Sequence, residues 1–158
     1  MDLASWSVGL ALIVLTIAIH TTAVVVMAFG LEARIRTRVD KHKTDRRGTV
    51  LSTIGHISAV ALILAALHGL ECAPWALAYW GLGALDSVTD ASVYALATMT
   101  TFEIPGLTVP ARFHMLSALQ AVNGVLLFGI STAFLFAVIQ VQWKLLSHRR
   151  DTLDTQTL

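Results

Sequence analysis

Residues 87–107 read SVTDASVYALATMTTFEIPGL, a short apolar segment between a helix-start signal and a polar turn. Ser87 and Asp90 form an S-x-x-D capping box, which predicts that a helix begins here. The apolar run from Ala91 to Phe102 has only 12 residues, whereas a membrane-crossing helix needs about 20. The pattern therefore predicts a helix over residues 87–101 that is too short to span a membrane.

The residues after this helix predict a reversal of the chain. Pro105 can neither continue a helix nor donate a backbone hydrogen bond. Non-helical backbone is tolerated at membrane depth only where it is buried in protein or lines water. We therefore expect a re-entrant segment whose loop, residues 101–110, borders a cavity and carries Glu103. The alternative is a short amphipathic helix on the outer surface, with Glu103 simply solvated.

The composition identifies an integral membrane protein. Of the 158 residues, 56% are hydrophobic and 13% are charged, and the mean hydropathy is +0.71, whereas about 25% of the residues in a typical soluble domain are charged. A net charge of +1 and a single cysteine argue against nucleic-acid binding, disulfide scaffolds and cysteine-based zinc sites. No linker divides the chain, so we expect one domain over residues 1–158.

Apolar runs bounded by charges predict the remaining organisation. Three are long enough to cross a membrane, and the run before the short helix has the length of an interfacial helix. The expected segments are span 1 (3–31), a basic loop (32–48), span 2 (49–70), an outer linker or interfacial helix (72–85), span 3 (113–143) and a tail (144–158).

Lysine and arginine positions predict the orientation. Of the 11 basic residues, all except Arg112 lie in the loop 32–48 or the tail 144–158. Cytoplasmic loops carry such an excess, so we expect the N-terminus outside and the C-terminus in the cytoplasm. The same basic segments suit anionic lipid headgroups.

The predicted architecture is typical of a cation pore. A helix that enters the membrane, an acidic loop and a return to a spanning helix place oxygen ligands where they can replace the hydration shell of an ion. One such loop per chain requires several chains around an axis, which cyclic symmetry supplies. Glu103 would then form a ring of carboxylates.

Three stretches carry a family resemblance: HGLECAPWALAYWGLGAL (68–85), YALATMTT (94–101) and RFHMLSALQAVNGVLLFGISTAFLFAVIQ (112–140). They resemble the pore helix, inner helix and preceding segment of small bacterial potassium-channel-like proteins of the pore-loop ion channel family. The resemblance implies an all-α membrane protein with three transmembrane helices, a re-entrant pore helix and a filter loop. It also implies a homotetramer in the bacterial inner membrane that conducts monovalent cations, with no catalysis and no cofactor.

The filter itself departs from the family pattern. Such families carry a T-T-x-G-Y-G-D type filter, and this chain has TTFEIPG at residues 100–106. Glu103 and Pro105 stand where the filter glycines would be, which leaves the selectivity open. The T-F-E run is instead similar to the T-L-E of bacterial sodium channels. The candidate filter residues are Thr100, Thr101, Phe102, Glu103 and Ile104. The alternative is a non-conducting channel-like scaffold or a regulatory membrane protein.

The last span carries a polar stripe. Gln120, Asn123, Leu127 and Ser131 recur at i, i+3, i+7 and i+11, so they share one helix face. We expect Asn123, Leu127 and Ser131 to line the inner pore, the alternative being helix packing. Two glycines, Gly124 and Gly129, are candidate hinges, and the alternative for them is also helix packing.

Intramembrane histidines and a glutamate form the last candidate group. His68 and Glu71 share a helix face at i, i+3, but His56 lies 12 residues before His68, about 18 Å along the helix. His20 of span 1 is the residue that could approach the pair. We expect a structural pair, or a link between the outer helix and the pore helix, and no metal. A membrane metalloenzyme that uses His20, His56, His68 and Glu71 is the remaining hypothesis.

Overall fold

The computed structural model describes the backbone of residues 3–39 and 46–156 and the side chains of residues 5–30 and 51–144. Every element in these ranges is helical, as the sequence predicts. The elements are α1 (Leu3–Val39), α2 (Arg46–Gly81), α3 (Val88–Met99), a 3₁₀ turn (Ala111–Phe113) and α4 (His114–Gln156).

Three of these helices are long and apolar enough to cross a membrane. The candidate spans are Ser5–Gly30, Leu51–Gly81 and Ala111–Lys144. Their number agrees with the prediction, and each overlaps its predicted range. Among the described α-helices, α3 is too short to cross a membrane. Its 12 residues rise only about 18 Å, whereas the hydrocarbon core is about 30 Å thick.

The second span is longer than predicted, and the prediction of a separate outer linker or interfacial helix over residues 72–85 is wrong. Helix α2 continues to Gly81 with Pro74 inside it. The continuation is stabilised by Cys72, Trp75 and Tyr79, which recur at helical spacing and are all buried in the core. Glu71, whose charge marked the end of span 2 in the sequence, is fully buried and paired.

Helix also extends beyond the other predicted span ends. Residues 32–39 and 46–48 of the predicted basic loop continue α1 and begin α2, and residues 144–156 of the predicted tail continue α4. The side chains of Arg34, Arg36, Arg38, Lys41, Lys43, Arg46, Arg47, Arg149 and Arg150, on which the predicted orientation rests, lie outside the described residues.

Helix α3 begins at the predicted capping box. The Ser87 hydroxyl accepts a hydrogen bond from the Asp90 backbone N–H at 3.1 Å, which confirms the start signal. Ala91, Ala95 and Met99 recur at i, i+4 and i+8 on one side of the helix and are buried, and Ala97 is buried on another side. Small residues on this side let α3 approach α2 and α4 closely.

Helices α3 and α4 run side by side in the same direction. The Tyr94 and Ser117 hydroxyls are 2.9 Å apart, the Gln120 amide donates to the Ala95 carbonyl at 2.9 Å, and Met99 lies against Gly124. These contacts advance together along both helices. The end of α3 therefore lies beside the interior of the Ala111–Lys144 span and not beside its beginning.

Candidate functional site

The segment that follows α3 is held by a defined helix-ending motif. The Phe102 N–H donates to the Ala97 carbonyl at 2.8 Å, and the Thr101 N–H donates to the Thr98 carbonyl at 3.0 Å. This pair of bonds is the Schellman motif, which requires a left-handed residue after the helix cap. Thr101 occupies that position with φ 58°. A β-branched residue in this conformation is strained, so the loop begins at an energetically costly residue.

The predicted reversal at Pro105 is a hydrogen-bonded turn. The Leu107 N–H donates to the Ile104 carbonyl at 3.1 Å, and Gly106 has φ 83°. Proline at the second position and glycine with positive φ at the third are typical of a type II turn. The Pro-Gly sequence thus accounts for the direction that the chain takes back toward α4.

The loop is largely open to its surroundings in the single chain. Thr100, Thr101, Phe102 and Glu103 are exposed, with 66% of Phe102 accessible, and Ile104 is half-buried. A cleft of about 380 Å³ lies beside the loop. Its lining comes from α3, the loop and the start of α4: Tyr94, Ala97, Thr98, Thr101, Phe102, Glu103, Ile104, Leu107, Thr108, Val109, His114, Ser117, Ala118 and Ala121.

The polar stripe of α4 faces the inside of the subunit, which corrects the pore-lining expectation. Asn123 and Leu127 are fully buried and Ser131 is 7% exposed. The Asn123 amide donates to the Thr16 hydroxyl at 2.8 Å, and Ser131 contacts histidines of α1 and α2. The periodicity identified a shared face correctly, but that face meets other helices of the same chain and not an open pore.

The two candidate hinge glycines differ in their surroundings. A Cβ at Gly124 would lie 2.1 Å from the Met99 carbonyl oxygen, whereas a Cβ at Gly129 would meet nothing within 4 Å. Helix α4 is continuous through both. Close packing against α3 therefore explains why position 124 requires a residue without a side chain. The surroundings of Gly129 leave room for one.

A second group of candidate residues comes together where α1, α2 and α4 meet. The Nδ1 of His20 lies 2.9 Å from Glu71 Oε1, and the Nδ1 of His68 lies 3.4 Å from Glu71 Oε2. The Nε2 atoms of both histidines lie 3.1 Å from the hydroxyl of Ser131. We call these four side chains the His–Glu–Ser ring. His20 and Glu71 are fully buried, and His68 is 6% exposed.

The ring lies near the middle of the candidate spans. Counted from the midpoints of Ser5–Gly30, Leu51–Gly81 and Ala111–Lys144, its members are displaced by five residues or fewer, about 8 Å by helical rise. Sequence reasoning named His20, His68 and Glu71 together but assigned Ser131 to the pore. The spacing of histidines along separate helices could not reveal their common serine partner.

The predicted candidates for a metalloenzyme are not all brought together. One ligand atom each from His20, His68 and Glu71 lies within 4.8 Å of the others. His56 lies elsewhere on α2, where its Nδ1 is 2.7 Å from the Ser52 carbonyl. The separations of 2.9 Å and 3.1 Å within the ring are hydrogen-bond lengths, so hydrogen bonds explain them without an ion.

A further polar network joins α2, α3 and α4 in the core. The Tyr79 hydroxyl donates to Gln120 Oε1 at 2.8 Å, and the Gln120 amide donates to the Ala95 carbonyl. Gln120 and Tyr79 are fully buried. These bonds hold α3 at a fixed height beside α4.

Comparison with known proteins gives no match to a family model, a curated protein or a solved structure.

Proposed function

We propose that this chain is one subunit of an oligomeric pore-loop cation channel, in which α3 is a re-entrant pore helix and residues 100–104 form the constriction. The chains assemble around an axis, with a homotetramer expected from the family resemblance. Monovalent cations pass by diffusion, and no reaction is catalysed.

The observation that carries this proposal is the depth of the end of α3. The Met99 carbonyl packs on Gly124, which lies about 5 Å along the helix from the midpoint of the Ala111–Lys144 span. The chain then needs residues 100–110 to return to the start of α4. A helix too short to cross, ending beside the interior of a spanning helix, is the arrangement of a re-entrant segment.

The exposure of the loop supports an assembly of several chains. Glu103 and the backbone around it are open in the single subunit. A carboxylate and irregular backbone at membrane depth are costly against lipid and are tolerated beside protein or water. Neighbouring subunits around a water-filled axis supply both.

The chemistry of the loop suits cations. Glu103 contributes a carboxylate, Thr100 and Thr101 contribute hydroxyl and carbonyl oxygens, and the negative end of the α3 dipole points to the same region. Oxygen ligands of this kind replace the hydration shell of a cation. Because Thr101 and the Pro105 turn fix the backbone differently from a glycine-containing filter, we assign selection to the Glu103 carboxylate and leave the preferred cation to experiment.

The inner cavity is assigned to the exposed face of α4. Val125, Gly129, Thr132 and Phe136 recur at i, i+4, i+7 and i+11 and are exposed in the single chain. They replace the buried stripe as the proposed lining. Gly129 is the one of the two candidate hinges that this face contains.

The proposed placement is a bacterial inner membrane, with the N-terminus outside and the basic segments 32–48 and 144–158 on the cytoplasmic side. The orientation follows from the distribution of lysine and arginine, and the bacterial inner membrane is what the family resemblance implies. Anionic lipid headgroups are the expected partners of those segments.

Flux through purified protein in liposomes tests the proposal. Potassium and sodium gradients are imposed on vesicles that contain wild type, Glu103→Gln or the control Asp86→Asn, which removes an exposed carboxylate outside the loop. We expect cation flux in wild type, a changed cation preference in Glu103→Gln and no change in the control. Absence of flux from folded, oligomeric protein would favour the non-conducting scaffold.

A further inference from the structure

The His–Glu–Ser ring closes on itself through four short separations. Glu71 presents one carboxylate oxygen to each histidine Nδ1, and Ser131 presents its hydroxyl to each histidine Nε2. Three separations are hydrogen bonds. The fourth joins His68 Nδ1 and Glu71 Oε2 at 3.4 Å, and both of these atoms are buried without another hydrogen-bond partner.

Counting hydrogens shows what the ring requires. The Ser131 hydroxyl has one hydrogen and can donate to only one Nε2, so the other imidazole must donate to the Ser131 oxygen. With one hydrogen on each imidazole and Glu71 ionised, one Nδ1 lone pair faces a carboxylate oxygen. One additional hydrogen, shared among Glu71, His20 and His68, removes that repulsion and fills all four separations.

The same count balances the charge. With three hydrogens on Glu71, His20 and His68, the ring consists of a carboxylate, one imidazolium and one neutral imidazole, or of a carboxylic acid and two neutral imidazoles. Either arrangement has zero net charge. With two hydrogens the ring carries one negative charge, which is costly in a buried site at membrane depth.

The described residues in contact with the ring supply no other charge. His68 stacks on Phe128 of α4 at 4.2 Å, and one turn before His20 the Thr16 hydroxyl is bonded to Asn123. On α2 the adjacent titratable group is Cys72, whose thiol donates to Met99 of α3 at 3.4 Å. Among the described contacts of the ring, the compensating positive charge therefore comes from within the ring.

We propose that His20, His68, Glu71 and Ser131 form a binding site for one exchangeable proton at the centre of the helix bundle. The bound proton joins α1 to α2 and α4 through the ring. Without that proton a lone pair faces a carboxylate oxygen and one negative charge is uncompensated, so the packing of α1 weakens. This site is separate from the proposed constriction, and its tests do not depend on conduction.

Direct counting of the hydrogens tests the proposal. In the full-length protein in lipid nanodiscs, His42, His56, His114 and His148 are replaced by Gln, which leaves ¹⁵N-labelled His20 and His68. Nuclear magnetic resonance gives the hydrogens on the ring nitrogens, and the infrared carbonyl band that is lost in Glu71→Gln shows whether Glu71 is protonated. We expect three hydrogens at neutral pH. Two or four hydrogens, or one zinc per chain after chelator treatment, would overturn the proposal.

A pair of variants tests it independently. In Glu71→Gln the side-chain amide donates to one Nδ1 and its oxygen accepts from the other, so the ring stays closed and neutral without the extra proton. In Glu71→Leu both contacts are lost at similar volume. We expect Glu71→Gln to melt as wild type does and Glu71→Leu to melt lower. Equal losses in the two variants would contradict the proposal.

Discussion

The Met99 carbonyl lies directly against Gly124, so close that a Cβ at position 124 would come within 2.1 Å of the oxygen. This contact fixes the height at which α3 ends. It joins the last residue of α3 to the interior of a candidate span and thereby sets the position along α4 beside which the following loop begins.

We predict that Gly124→Ala separates α3 from α4. The added methyl group overlaps backbone, which cannot move as a flexible side chain does, so the expected loss of stability is about 1–3 kcal/mol or more. Thermal melting of the purified protein measures it. Gly129→Ala is the matched control, because its methyl group meets nothing within 4 Å. Equal melting of the two variants would contradict the close contact.

The left-handed conformation of Thr101 gives a second prediction. Glycine at this position removes a cost of about 1–2 kcal/mol for a left-handed residue and adds about 0.5–1 kcal/mol of backbone entropy. We expect Thr101→Gly to melt at or above wild type. Thr100→Gly, at φ −89°, relieves no such strain. It removes the hydroxyl hydrogen bond that is shared between the Leu96 and Ala97 carbonyls at the helix end, so it should melt lower. The reverse order would exclude the Schellman conformation.

Gln120 gives a third prediction, on the network that positions α3. Gln120→Leu removes the hydrogen bonds to the Tyr79 hydroxyl and the Ala95 carbonyl and leaves Tyr79 only the longer contact with Ser117 at 3.4 Å, and each lost hydrogen bond costs about 0.5–1.5 kcal/mol. The control is Gln140→Leu, which makes the same substitution at an exposed position of the same helix. Chemical denaturation in detergent compares them. A loss at Gln120 no greater than at Gln140 would show that the network does not hold α3.

A fourth prediction separates packing from pore lining at Asn123. Asn123→Leu removes the bond to Thr16 between α4 and α1, so we expect lower stability and no direct change in ion preference. Thr132→Val, on the exposed face of α4, should retain stability and change conductance. Ion flux and melting measured on both variants distinguish the two faces. A changed ion preference in stable Asn123→Leu would restore the buried stripe as a pore lining.

Local signals in the sequence predicted local structure well. The capping box at Ser87 and the Pro-Gly pair at residues 105–106 determine the local backbone geometry, because the hydrogen bonds that they make lie within four residues. The long apolar runs predicted three spans, because the length and hydrophobicity of a run are also local properties of the chain. None of these signals depends on residues that are distant in the chain.

Tertiary contacts account for what the sequence did not predict. Glu71 looked like the end of a span, because a charge is costly in a membrane, but His20 of another helix pairs with it and α2 continues. Asn123 and Ser131 looked like pore residues, because periodicity defines a face without identifying what it meets. Both errors concern polar groups whose partners lie more than 50 positions away in the chain.

The most direct test of the central claim is the reversal potential of the wild-type protein in a planar bilayer between unequal concentrations of potassium chloride. A pore lined by Glu103 carboxylates conducts cations, so we predict a reversal potential close to the potassium equilibrium value. A reversal potential at the chloride value, or folded and oligomeric protein that passes no current, would contradict the proposed cation channel.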